Sequence, residues 1–146
     1  MKIHILAIGK CKHGSPEDVL IREYKKRLNW ELIIKEKENS DQIQEAKFLQ
    51  TNIPLGAKVI VLDERGENMK STELASKIGQ WQTQGCSDIC FLIGGADGHI
   101  DPTRKKADLL LSFGKLTLPH MLMRAVLTEQ IYRIQTILSG HPYHRE

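Results

Sequence analysis

Residues 109–146 read LLLSFGKLTLPHMLMRAVLTEQIYRIQTILSGHPYHRE, and the fold turns on how this stretch is read. Leu109-Leu110-Leu111 is a short apolar strand, and Ser112-Phe113-Gly114 breaks it as a loop. Leu116-Thr117-Leu118-Pro119-His120 opens a long helix, expected from Pro119 to Ser139, which Gly140 closes. A tail rich in titratable groups follows: His141, Tyr143, His144 and Arg145. Strand, glycine loop, helix and tail together make a ligand site with chemistry beside it. The upstream chain is left to supply the scaffold and the other walls.

Working outward, the same alternation runs back to the start. Lys2 to Ile8 is a β-branched strand ended by Gly9. Ser15 caps a helix that has Pro16 in its first turn and runs to about Asn29. Val19, Leu20, Tyr24 and Leu28 are expected to face inward on it, with Arg22, Lys25, Lys26 and Arg27 outward. Trp30 to Ile34 is a second strand, and Ser40-Asp41 caps a helix through Gln50. Lys58 to Leu62 is the cleanest strand, with Asp63 to Gly66 read as the loop after it. Ser71 caps a helix through about Gln82, turning Leu74, Ile78 and Trp81 inward. Ile89 to Ile93 is a strand ending in Gly94-Gly95-Ala96-Asp97-Gly98. Asp101-Pro102 starts a short helical turn that carries Arg104, Lys105 and Lys106. Strands alternating with helices predict an α/β fold, a mostly parallel sheet covered by helices on both faces. No linker or repeat interrupts the 146 residues, so a single domain over 1–146 is expected.

Composition narrows the partners. A net charge of +3 permits an anionic partner such as RNA without requiring one. Cys11, Cys86 and Cys90 are odd in number and lack framework spacing, which favours a reducing compartment. No His or Cys pair stands near Cys86 and Cys90, so no metal site is expected. No apolar run reaches the roughly 20 residues of a membrane span, and no secretory signal is visible. A cytoplasmic protein with no membrane partner is the resulting expectation.

In open α/β sheets ligands lie at the carboxyl ends of strands. Three glycine-containing loops leave such ends late in the chain: Asp63–Gly66, Gly94–Gly98 and Ser112–Lys115. Ordinary phosphate motifs fit them badly. Gly94-Gly95-x-x-Gly98 lacks the dinucleotide spacing, and Ser15 stands where a P-loop after Gly9 would need lysine. A mononucleotide or dinucleotide enzyme is therefore disfavoured.

FLIGGADG after a short strand, then LSFGKLTLPH, then a terminal GHPYHRE resemble the ribosomal large-subunit methyltransferase H family of SPOUT-class enzymes. The resemblance spans essentially the whole chain and is most specific in its last half. It implies a C-terminal deep trefoil knot, an exception to the unknotted rule. It implies S-adenosylmethionine bent in that knot, held by Leu62, Gly95, Gly114, Lys115, Leu116, Thr117, Leu118 and Pro119. It also implies a homodimer acting on assembled ribosomes, methylating N3 of a pseudouridine in the helix-69 loop of 23S rRNA. Phe113 and Gly114 depart from the Ser-Leu-Ser type run common in the family. A backbone contact survives a change to glycine at 114; a serine hydroxyl contact does not.

Methyl transfer from a sulfonium is an in-line displacement, and an imide nitrogen attacks well only as its proton leaves. The tail supplies the residue types this needs. His144 is assigned as base or orienter, Tyr143 as the residue positioning the nucleobase, Arg145 as an RNA contact, and His141 as a further catalytic candidate. Arg22, Lys25, Lys26, Arg104 and Lys105 are candidate phosphate contacts. His4 is expected to be structural, His120 to cap its helix or touch a ligand, and His13 and His99 to face RNA or water. The apolar surface of the last helix exceeds one buried stripe, as a partner subunit would require. A competing reading keeps the fold without chemistry, as an RNA-binding or ribosome-assembly factor; binding of the methyl donor separates the two.

Overall fold

A computed structural model describes residues 1–145. Its centre is a five-stranded sheet in the order β2-β1-β4-β3-β5, with every pairing parallel. The strands are β1 (Lys2–Ile8), β2 (Glu31–Lys37), β3 (Lys58–Asn68), β4 (Asp88–Ile93) and β5 (Leu109–Ser112). The helices are α1 (Pro16–Arg27), α2 (Gln42–Asn52), α3 (Ser71–Thr83), α4 (Asp101–Lys105) and α5 (His120–Ser139), followed by a 3-10 turn over Pro142–His144.

The period of two along each strand divides the core. Ile3, Ile5, Ile60, Phe91 and Leu111 face one side, where Leu74 and Ile78 of α3 and Leu127, Ile131 and Ile134 of α5 meet them. Leu6, Ile8, Val61, Cys90 and Leu92 face the other, under Phe48 and Leu49 of α2. Both faces are therefore covered, as the alternating pattern predicts. Among the described residues no helix is long and apolar enough to cross a membrane, and no metal-binding cluster of His, Cys, Asp or Glu occurs.

Four local expectations change. Residues 63–66 are not a terminal loop: β3 continues to Asn68, and its pairing with β5 jumps between Leu62 and Glu67. Asp63–Gly66 is thus a bulge that carries side chains beyond the sheet edge. Gly66 permits this because a Cβ there would lie 2.6 Å from the main chain of Leu110 and Leu111. Ser71 is not a cap. Its hydroxyl donates to Gln130 of α5 at 2.6 Å, and Glu73 instead accepts from the Lys70 N–H. On α1, Ile21 is the buried residue, while Val19 and Leu20 stay 58% and 45% exposed. The helix ends at Arg27, and Leu28, its cap, still packs inward against the core as expected. β2 runs on to Lys37 because its polar end still pairs with β1.

Candidate active site

Because all strands run parallel, β1, β3, β4 and β5 end at one edge of the sheet. The exits of β3, β4 and β5 surround a cavity of about 770 Å³, within the range of small-molecule sites. Leu62 and the Asp63–Arg65 bulge form one wall, Gly94–His99 a second, and Ser112–Leu118 a third. His120 and Met123, from the first turn of α5, close the end. The loops that sequence spacing put at three strand ends are therefore brought together.

Each wall is fixed by local chemistry. Ser112, 7% exposed, folds the loop after β5 back on itself: its hydroxyl donates to the Gly114 carbonyl and accepts from the Gly114 N–H. Gly114 takes φ +110 with nothing within 4 Å of a hypothetical Cβ, so its main chain faces open space. Leu116 is 84% exposed there, an apolar side chain left uncovered beside the cavity. Pro119 precedes α5 as its cap residue and does not itself line the cavity. In the Gly94–Gly98 wall, Gln42 of α2 donates to the Asp97 carbonyl at 2.8 Å.

Arg104 lies in the cavity wall and not on the outer surface with Lys105. Its guanidinium donates to Asp63 at 3.2 Å, to the His99 carbonyl at 2.6 Å, and to Asp101. The hydrogen bond from Arg104 holds the Asp101 carboxyl below the usual carboxylate range. These bonds tie α4 to the β3 bulge and engage the charge a phosphate would have used. Arg22 is engaged similarly, donating to Asp18 at 2.5 Å, whereas Lys25, Lys26 and Lys105 are exposed.

The tail sits elsewhere. Tyr143 packs edge-on against Tyr132, with ring centroids 4.7 Å apart. Its hydroxyl donates to Glu129 at 3.2 Å and lies 3.4 Å from that of Tyr24. Burial first, and these neighbours after it, push the phenol well above its ordinary value, so it stays protonated. His141 accepts the Tyr143 N–H at its Nδ1, His144 is half-buried, and Arg145 is exposed with φ 51. All of this is at the far end of α5. The 20 residues of that helix span about 30 Å at 1.5 Å per residue. Within one chain the tail and the cavity are apart.

Sequence reasoning missed two residues and misplaced a third. Arg124 is 1% exposed; it pairs with Glu36 and donates to the Gly9 carbonyl at 2.9 Å, pinning α5 to the ends of β1 and β2. Its signal was its place three and seven residues before the buried Leu127 and Ile131. Glu45 is 5% exposed on α2, four residues before the buried Leu49, and so on the inward face. His99 is 7% exposed, not open to water or RNA. No periodicity could reveal it, because it lies in a loop. His4 is structural, bonded to Asp88 at 2.8 Å, and His120 lines the cavity.

A ligand cavity at the carboxyl ends of parallel strands, walled by the loop before a C-terminal helix, belongs here to a SPOUT-class methyltransferase, as the family match shows. The family model described as a predicted SPOUT methyltransferase matches residues 1–144. Two solved structures share the fold: a probable methylase family protein from Haemophilus influenzae Rd KW20, and the SpoU methyltransferase AviRb from Streptomyces viridochromogenes. The first has a TM-score of 0.58 at 10% identity, over 97% of this chain and 69% of the other. The second has 0.51 at 10% identity, over 94% and 60%. Within the class, the chain belongs to the ribosomal RNA large subunit methyltransferase H family. Relatives of that name are 48% identical in Paramagnetospirillum magneticum, over 99% of both chains, and 47% in Zymomonas mobilis, over 100% of this chain and 99% of the other. Another, from Rhodospirillum centenum, is 45% identical over 99% of each.

Proposed function

We propose that this chain methylates N3 of a pseudouridine in the helix-69 loop of 23S rRNA, with S-adenosylmethionine as donor, acting in the cytoplasm as a homodimer on assembled ribosomes. The carrying observation is that three strand-end segments converge on one cavity of about 770 Å³ in a chain of this family. The cavity fits the donor: it has the volume, a glycine main chain open to it at 114, and apolar side chains at Leu62, Leu116 and Leu118. Leu62, Gly95 and Gly114 to Leu118 would hold it, with Pro119 fixing the start of α5 behind them. Bound there, S-adenosylmethionine supplies an electrophilic methyl group on a sulfonium.

The protein's own part is alignment and proton management. The imide N3 must lose its proton as it attacks. His144 suits this as base or orienter, because a neutral imidazole accepts protons near physiological pH. Arg145 suits a phosphate or a developing oxyanion. Tyr143, held protonated, anchors the tail and places those two residues. Since α5 separates tail from cavity, a second copy must bring its tail to the first copy's cavity. Val19, Leu20, Leu122 and Leu138 leave apolar surface on α1 and α5 for such a copy. Threading of the last third through a trefoil knot belongs to the same reading. Labelled methyl transfer to ribosomes, separated subunits and free rRNA, with mapping of the modified nucleotide, tests it. Label on the N3 of a helix-69 pseudouridine in whole ribosomes is expected; label elsewhere, or on none of these substrates, contradicts it.

A further inference from the structure

His99 follows the Gly94–Gly98 turn and is buried against it. Neither of its ring nitrogens completes a hydrogen bond. The carbonyls of Leu62 and Leu92, on β3 and β4, lie beside the ring without reaching bonding geometry. Gly94 is packed against the ring: a Cβ there would lie 3.1 Å from Cε1 and 3.2 Å from Nδ1. On the other side of the turn is Glu45. One carboxylate oxygen accepts the Ser40 N–H at 2.8 Å. The other would lie 2.9 Å from a Cβ at Gly95. His99 and Glu45 share a small space of about 10 Å³, bounded also by Ile8, Gln42 and Thr103, near the least that holds one water.

Unpaired buried polar groups are costly, and native structures keep them where they serve a site. His99 stands in the wall of the large cavity, but both ring nitrogens are closed to solvent, so neither bonds a ligand there. What the ring touches is the turn that forms a wall of that cavity. We propose that His99 is a positioning residue for the methyl-donor site: with Glu45, through one water in the shared space, it wedges the Gly94–Gly98 turn into its donor-receiving shape. This rests on the reading of the cavity as a donor site. Glycines 94, 95 and 98 give the turn little stiffness of its own, so its shape must come from beneath.

The wedge works with a neutral ring. Burial is the largest influence and disfavours the imidazolium; Asp63 on β3 opposes this, Arg104 on α4 reinforces it, and Glu45 on α2 faces the shared space. A turn that opens frees the ring to take a proton. Acid therefore favours the open turn, and donor affinity falls as pH drops below the ordinary imidazole range, not above it.

The test is calorimetric titration of S-adenosylmethionine into wild type, His99→Asn, His99→Leu and Glu45→Gln, from about pH 8 to pH 5.5, with thermal unfolding of each. Wild-type affinity should weaken on the acid side, and His99→Asn, which cannot titrate, should be flat. His99→Leu should lose about tenfold in affinity, raising KM for the donor with kcat at saturation retained, while its unfolding midpoint stays near wild type. Glu45→Gln should shift affinity in the same direction. Wild-type affinity and pH profile in both His99 variants would overturn the inference, leaving the ring as packing. So would loss of affinity only in proportion to loss of folded protein. Failure of the wild type itself to bind the donor is a different result: it overturns the donor-site reading, and the inference falls with it.

Discussion

At the scale of single residues, this protein spends its buried polar groups on joining strand ends. Arg124 ties α5 to the ends of β1 and β2, Arg104 ties α4 to the β3 bulge, and His4 ties β1 to β4 through Asp88. The last pair predicts a pH dependence. The hydrogen bond from His4 holds the Asp88 carboxyl below its usual range. A lowered carboxylate pKa contributes stability that is present above the unfolded value and lost as pH falls through the folded one. Asp88→Asn should therefore cost about 1 kcal/mol at neutral pH, with the difference from wild type starting to shrink as pH falls to about 4 and vanishing only below the lowered folded value. Urea midpoints across that range check it. A difference that persists unchanged into acid would show that the carboxylate charge is not involved. These ties were hidden from the sequence for a physical reason. A buried charge looks like a surface charge until its partner, 88 residues away for Arg124 and Glu36, is known.

At the scale of elements, apolar pattern did its work where it matches burial. The continuous apolar run in KVIVL was legible because that strand is buried on both faces, and the i, i+4 spacing of Leu74 and Ile78 because α3 buries one. The α1 face was only partly legible: Tyr24 meets Tyr132 of α5 and Leu28 packs on the core, but Ile21 is the buried residue and Val19 and Leu20 stay uncovered, so apolar content there did not by itself mark burial. The β3 bulge was invisible because Asp-Glu-Arg-Gly carries turn chemistry, and only the pairing with β5 shows that the strand resumes. That pairing yields a prediction. Gly66→Ala puts a Cβ 2.6 Å from the Leu110 and Leu111 main chain, which neither strand can yield without losing register. The variant should lose about 2 kcal/mol, seen as a lower urea midpoint at unchanged slope. A midpoint equal to wild type would mean that the bulge is loose.

At the scale of the whole molecule, the parallel sheet places the ends of β3, β4 and β5 together at one edge, and this gathers the candidate donor residues. The sequence made those residues legible through glycines at successive strand ends and through family resemblance. It could not say that α5 carries the tail away from them. That separation predicts sharing between subunits. Gly95→Leu, with an intact tail, and His144→Ala, with an intact cavity, should each be inactive alone. Mixed after subunit exchange, they should regain about a quarter of wild-type turnover on ribosomes, from random pairing. No recovery in verified mixed dimers would place tail and cavity of one chain together. The claim beneath all of this is that the three strand-end segments close on one methyl donor. Hydrogen exchange with and without S-adenosylmethionine tests it most directly. Protection is expected together in residues 62–66, 93–99 and 112–118, with little change in the loop of residues 9–15. Protection confined to one of these segments, or centred on residues 9–15, would contradict it.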